Sequence, residues 1–151
     1  MSVINPEGLK TRSYYNHIKI RPGTPVFPTG QVAWDEDGNV VGIGDMRKQV
    51  EQVYANIDKL LEGLGVSRDA IVRTTTYVTD LALVPEIHPV RQRFFADLEL
   101  PASTLFQVAS LAEPELMLEI DVVIMMPLCN AFLPKLSAIY LLYSGLTLSV
   151  K

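Results

Sequence analysis

The run Leu116–Met126, LMLEIDVVIMM, constrains the fold of this chain more than any other segment. Every residue in it except Glu119 and Asp121 is apolar, which is typical of a long buried strand. Successive side chains of a strand point to opposite faces, and here both faces are apolar. A single layer of helices covers only one face of a sheet, so the sequence predicts that the other face contacts further copies of the chain.

The first half of the chain predicts short strands followed by one long helix. Strand-like runs flank the turn Arg21–Thr24, and a hairpin turn at Asp35–Asn39 leads into a short strand at Val40–Val41. Apolar residues then recur at steps of three and four from Met46 to Leu64, directly after Asp45, a good N-cap residue. This pattern predicts a helix that two closely spaced glycines end.

The second half predicts a strand, a helix and two more strands. The β-branched run Ala70–Asp80 is typical of a central strand. An amphipathic helix follows, with His88 at its start and Pro89 in its first turn. A strand entered through Pro101 carries Ser103 on one of its faces. The predicted order is β-β-β-α-β-α-β-β, an α+β fold of two layers with both helices on one face of the sheet.

The composition of the chain limits the kinds of molecule that we expect it to bind. The 151 residues carry a net charge of −4, so we expect no basic surface that would bind nucleic acid. The single cysteine, Cys129, excludes an intrachain disulfide, and two histidines with one thiol predict no metal site and no metal cofactor. The N-terminus lacks an apolar signal core, so the expected location is cytoplasmic.

The chain divides into a domain, 1–127, and an apolar C-terminal extension, 128–151. The extension fits a hairpin or a helix equally well, and we expect it to pack on the outside of the assembled protein. A membrane anchor is disfavoured, because Pro134 and Lys135 interrupt an apolar run that is barely long enough to cross a bilayer.

The two carboxylates of the apolar strand are the first candidates for chemistry. Glu119 and Asp121 leave the same face about 7 Å apart along the strand. Burial raises the pKa of a carboxyl group and suits it to activate a water molecule. The alternative is that both carboxylates bind backbone amides or basic residues of a neighbouring chain. Arg91 and Arg93 are expected to face solvent on the second helix, although either could clamp a carboxylate.

Five segments in succession resemble the YjgF/RidA family of reactive-intermediate (enamine/imine) deaminases. They are TGQVAWDEDGNVVG, QVEQVYANIDKLLEGLG, IVRTTTYVTDL, FFADLELPASTLFQVASLA and LEIDVVI. The resemblance implies a chorismate-mutase-like fold and a homotrimer with a central barrel and ligand clefts between subunits. It also implies hydrolysis of 2-imino acids to 2-keto acids and ammonia, without a cofactor. An arginine would hold the substrate carboxylate, and a glutamate would position the attacking water.

Carried over by position, the resemblance assigns one catalytic residue and four ligand-binding residues, and Leu105 is added as a fifth for its backbone groups. Glu119 corresponds to the glutamate that positions water. The ligand-binding residues are Tyr14, Gly30, His88, Ser103 and Leu105. His88 stands where asparagine is usual, and Ser103 stands where the family motif P-A-R-S has its arginine. The sequence therefore predicts a divergent hydrolytic enzyme for a less anionic small molecule, or else a non-catalytic trimer that binds a metabolite or partner.

Overall fold

The computed structural model describes residues 1–128, which form six strands and two helices in the predicted order. The strands are β1 (Ser2–Ile4), β2 (Ile18–Ile20), β3 (Thr24–Val26), β4 (Ile71–Val78), β5 (Ala102–Gln107) and β6 (Leu118–Met126). The helices are α1 (Met46–Leu64) and α2 (Val84–Phe94). The predicted α+β class is therefore correct. The predicted extension, apart from Leu128, lies outside the described residues.

Four strands form the main sheet, in the order β3-β6-β4-β5. β4 runs parallel to β5 and antiparallel to β6, and β3 runs antiparallel to β6. The two strands with the strongest apolar or β-branched patterns, β6 and β4, are thus the interior strands. β1 and β2 pair with each other in a separate antiparallel ribbon. Within residues 1–128, no helix is long and apolar enough to cross a membrane.

Helix α1 begins and ends as its sequence predicts. The Asp45 carboxylate accepts a hydrogen bond from the backbone N–H of Lys48 at 3.0 Å, and Gly65 ends the helix in the left-handed conformation at φ 66°. The face that packs on the sheet is almost completely buried. It comprises Met46, Gln49, Val50, Val53, Tyr54, Ile57 and Leu61.

Helix α2 begins one turn earlier than predicted. The Asp80 carboxylate accepts a hydrogen bond from Ala82 N–H at 2.8 Å, and this caps a short 3-10 turn that leads directly into the helix at Val84. Pro85, not Pro89, lies in the first turn. Pro89 lies inside the helix, and His88 is its fifth residue, so the prediction that His88 opens the helix is wrong.

The N-terminal half departs from the prediction in two places. Val40–Val41 is not a strand, because the Asp35 carboxylate accepts hydrogen bonds from the N–H groups of Asp37 and Asn39 and closes the turn tightly. Only an isolated bridge between Trp34 and Val40 remains of the hairpin. The third N-terminal strand is instead β1, whose three residues carry no clear pattern.

The main sheet has two different faces. The helices cover the face that carries Thr74, Thr76, Val78, Ser103, Leu105, Leu118, Ile120 and Val122, here called the helix-covered face. The opposite face, here called the open face, carries Arg73, Thr75, Tyr77, Thr104, Phe106, Glu119, Asp121 and Val123. Within the described chain the side chains of the open face stay half-buried or exposed.

Candidate functional site

Glu119 and Asp121 lie side by side on the open face, as the alternation of β6 predicts. The Tyr77 hydroxyl of β4 donates to Asp121 Oδ2 at 3.2 Å, which orients that carboxylate. Glu119 is half-buried, and burial followed by the nearby negative charge of Asp121 raises its pKa. None of the ion pairs among residues 1–128 involves either carboxylate. The arrangement suits Glu119 to accept a proton from water.

Gly30 lies directly against these carboxylates. The residue after it, Gln31, exchanges two backbone hydrogen bonds of 3.0 Å with Ile120 and so fixes the segment beside β6. A Cβ atom at position 30 would overlap Glu119 Oε1 and would lie 2.7 Å from Asp121 Oδ1. Only glycine lets the backbone approach Glu119 this closely. Gly30, Tyr77, Glu119 and Asp121 are called the Glu119 group below.

The other predicted ligand residues gather around α2. The rings of Tyr14 and His88 stack with centroids 4.4 Å apart and an angle of 20° between their planes. Burial and the positive charge of Arg91 lower the pKa of His88, which favours its neutral imidazole. Leu105 lies on β5 two residues after Ser103, on the same face, and packs against the core.

Arg91 connects these residues, contrary to the expectation that it faces solvent. Only 4% of its surface is exposed. Its Nε donates to the backbone oxygen of Tyr14 at 3.0 Å, and its Nη1 donates to Thr74 Oγ1 at 3.1 Å. Thr74 Oγ1 is in turn 3.0 Å from Ser103 Oγ. Tyr14, Thr74, His88, Arg91 and Ser103 are called the Arg91 group below.

The burial of Arg91 follows from its position on α2. It lies four residues after Ile87 and three before Phe94, and both of those side chains are buried. The sequence therefore contains a signal for the burial of Arg91, because its spacing from Ile87 and Phe94 places it on the apolar face of the helix. Arg93 does face solvent as predicted, where it pairs with Glu51 at 2.8 Å.

One chain does not bring the two groups together. Ser103 lies opposite Thr74 on the helix-covered face, whereas Glu119 lies opposite Tyr77 on the open face. Thr74 and Tyr77 are three residues apart on β4, which corresponds to about 10 Å along the strand. The sheet therefore separates the predicted catalytic residue from Ser103. Across the described part of the chain, no cluster of three or more His, Cys, Asp or Glu side chains could hold a metal ion.

Comparisons with known proteins place the chain in a family. The model of the family Endoribonuclease L-PSP matches residues 6–126. The crystal structure of YyfB from Yersinia pestis, a Rid family protein described as of unknown function, matches with a TM-score of 0.77 and 31% identity over 83% of this chain and 98% of that chain. YyfA from the same organism matches with a TM-score of 0.65 and 27% identity over the same shares of the two chains.

A curated relative supports the same assignment. A RutC family protein of Synechocystis sp. is 27% identical over 103 residues, which are 68% of this chain and 78% of the relative. The family match, the Rid structures and this relative agree with the motifs that resemble YjgF/RidA proteins. The chain therefore belongs to the Endoribonuclease L-PSP family, which is the YjgF/RidA family of its sequence motifs.

Proposed function

We propose that the chain forms a homotrimer through the open face of its sheet and hydrolyses a small molecule in the clefts between subunits. The observation that carries the proposal is the environment of Glu119, a half-buried carboxyl group with a raised pKa and no cationic partner among residues 1–128. Such a group is suited to general-base catalysis. The position of Gly30, which leaves room for this carboxylate, adds support.

The separation of the two groups supports an assembly with shared sites. Glu119 and Asp121 bring negative charge to the open face. Arg91 of α2 brings positive charge to the helix-covered face. In a cleft between subunits, the Glu119 group of one subunit would face the Arg91 group of the next. A ligand held between them would contact a proton acceptor on one side and hydrogen-bond donors on the other.

In the proposed reaction, Glu119 holds a water molecule and takes its proton as the water oxygen adds to an electrophilic carbon that is bonded to nitrogen in the ligand. Glu119 then returns the proton to that nitrogen, the C–N bond breaks, and ammonia or an amine leaves as the carbonyl group forms. Tyr14, His88 and Ser103 orient the ligand. Rapid deamination of 2-imino acids is not expected, because a serine hydroxyl cannot form the bidentate contact that an arginine makes with a carboxylate. Loss of such a desolvated charge pair weakens binding by about 2–5 kcal/mol.

The test is a screen of small imines, enamines, lactams and carboxamides for hydrolysis by the purified protein. A compound that the wild-type protein hydrolyses should react about 100-fold or more slowly with Glu119→Gln. Glu115→Gln is the matched control, because its side chain is exposed four residues earlier in the chain. Ligand binding without any turnover would instead favour the non-catalytic alternative.

Shared sites are tested by mixing two inactive variants. Glu119→Gln and Ser103→Trp each disable a different half of the cleft. Random assortment of the two in mixed trimers leaves about one quarter of the clefts with both halves intact. Recovery of activity on mixing supports clefts between subunits, and its absence, together with a stable monomer in light scattering, would contradict the trimer.

A further inference from the structure

The β1–β2 ribbon has one buried face and one exposed apolar face. Its register places Ile4 directly opposite Ile18, and Ile20 lies two residues farther along the same face. Within residues 1–128 these three side chains are between 41% and 49% exposed. The other face contacts the rest of the chain, where Lys19 is buried and its Nζ donates to the Glu99 carbonyl at 2.6 Å. The exposed side chains Ile4, Ile18 and Ile20 are called the isoleucine face below.

The isoleucine face has the composition of a surface that packs against another one. Isoleucine occupies three of the six strand positions of the ribbon, and β-branched residues are typical of strands that pack on a neighbouring surface. Single exposed apolar residues are common on proteins, whereas adjacent ones that form a patch mark an interaction site. A ribbon of two short strands is also only marginally stable by itself in water. A segment that covers the isoleucine face would therefore bury apolar surface and stabilise the ribbon.

The described part of the chain ends beside this ribbon. Met1 directly precedes β1 and Arg21 directly follows β2, so both mark the same end of the ribbon. A cavity of about 460 Å³ lies at this end, and its lining residues are Met1, Arg21, Pro22, Pro127 and Leu128. Leu128 is 76% exposed within the described chain. Residues 129–151 therefore start next to the isoleucine face.

Residues 129–151 have a composition suited to this face. Fourteen of these 23 residues are apolar, two are lysines and none is acidic. Fully extended, 23 residues reach about 80 Å, which is several times the radius of gyration of about 14 Å expected for a domain of 128 residues. Their length therefore does not limit the choice of surface, whereas their starting point beside the ribbon favours the isoleucine face.

We propose that residues 129–151 dock on the isoleucine face of the same chain. Their apolar side chains displace water from Ile4, Ile18 and Ile20, so the contact is stabilised mainly by burial of apolar surface. A segment that starts beside the face is held there at a high effective concentration, which a second copy of the chain lacks. The ribbon is a sheet separate from the main sheet, and this docking does not depend on the proposed hydrolysis.

The first experiment identifies what covers the isoleucine face in the full chain. The photoreactive amino acid p-benzoylphenylalanine replaces Ile18, and mass spectrometry identifies the peptide to which light attaches it. We expect a crosslink to residues 129–151 within one chain, so the product keeps the mass of a monomer on a denaturing gel. The same amino acid at Ile43, which is 66% exposed in a loop, is the matched control. It should give about tenfold less of this crosslink, because no high local concentration of the segment is expected there.

The second experiment uses Lys135, the internal trypsin site of residues 129–151, to report docking. The double variant Ile18→Ser and Ile20→Ser removes apolar contact from two exposed positions of the ribbon. It should speed cleavage after Lys135 about tenfold or more, because the rate follows the fraction of chains in which the segment is undocked. Ile43→Ser is the control and should leave the rate unchanged. Circular dichroism checks that both variants stay folded.

Three results would overturn the inference. Crosslinks from position 18 that join two chains would show that a second copy covers the isoleucine face. A crosslink yield at position 18 no higher than at position 43 would show that residues 129–151 do not dock there. Equal rates of cleavage after Lys135 in the double variant and the wild type would show the same, and the crosslinking result decides if the double variant does not fold.

Discussion

The two faces of the main sheet differ in what completes them. On the helix-covered face, Leu118, Ile120 and Ile124 have no exposed surface, because they lie in the hydrophobic core that α1 covers. On the open face, Phe106 is 50% exposed and two carboxylates lie among half-buried side chains. Within residues 1–128, the helices bury the interior residues of the first face, whereas the second face stays partly exposed. The same strands therefore serve folding on one side and, in the proposed trimer, assembly and catalysis on the other.

The Glu119 group and the Arg91 group also differ in the sign of their charge. The Glu119 group holds two carboxylates, and the ion pairs of residues 1–128 include neither. The Arg91 group holds a buried cation that is equally absent from those pairs. A single chain cannot bring these charges together, because the sheet lies between them. In the proposed trimer, the clefts between subunits would bring the two groups together.

The largest expected effect is a loss of stability when a buried residue of the helix-covered face is shortened. Ile120→Ala should lower the free energy of unfolding by about 2–5 kcal/mol, because it leaves a cavity at a fully buried position. Phe106→Ala on the open face should instead weaken assembly. Urea unfolding at two protein concentrations checks both, since only the effect of Phe106→Ala should depend on concentration. Equal, concentration-independent losses would mean that the faces do not differ in role.

The next effect concerns the link between α1 and the start of β6. Gln49 has no exposed surface, and its side chain bonds Met117 N–H at 2.8 Å and the Glu115 carbonyl at 2.7 Å. Gln49→Ala should lower the free energy of unfolding by about 2–3 kcal/mol, because two backbone groups lose their partners. Glu62→Ala, at an exposed position of the same helix, is the control and should change stability by less than about 0.5 kcal/mol.

A smaller effect on stability with a clear effect on activity is expected at Gly30. Gly30→Ala should displace the Glu119 carboxylate, whose flexible end can move aside. We expect stability to change by about 1 kcal/mol or less and any hydrolytic rate to fall about tenfold or more, because a small misplacement of a catalytic group is costly. Thermal unfolding and steady-state kinetics measure the two effects. A fully active Gly30→Ala variant would show that the placement of Glu119 is unimportant.

The smallest expected effect is a shift in pH dependence. The pKa of Glu119 lies above its usual value of 4.5, so its ionised form, and with it activity, should be lost as the pH falls through that raised pKa. Protonation of Glu119 has the opposite effect on folding: its contribution to stability is complete below pH 4.5 and is lost as the pH rises through the raised pKa.

Asp121→Asn removes the second cause of the raised pKa and leaves the first, burial. The acidic limb of the activity profile should therefore move to lower pH without returning to the value of an exposed carboxyl group. Tyr77→Phe, which removes the hydrogen bond to Asp121 but keeps its charge, should leave most of the shift in place. An unchanged acidic limb in Asp121→Asn would mean that another group controls it.

The sequence by itself determined the features that depend only on residues close together in the chain. Asp45 and Gly65 set the ends of α1 because capping and left-handed backbone depend on single residues. The alternation of β5 and β6 assigned Ser103 and Glu119 to their strands and faces, since strand side chains alternate strictly. The start of α2 was predicted wrongly, because the cap that begins it belongs to a preceding 3-10 turn around Asp80.

Only the tertiary structure decided which residues meet across the sequence. Thr74, Arg91 and Ser103 lie in three separate elements, and their hydrogen bonds depend on how α2 packs on the parallel pair β4 and β5. The run that contains Thr74 is typical of any strand, so its sequence cannot show that the Thr74 hydroxyl accepts a hydrogen bond from a buried guanidinium. The fold also placed Glu119 and Ser103 on opposite faces of the sheet. Alternation within one strand does not show which of its faces matches which face of another strand, and only the pairing register between the strands fixes that.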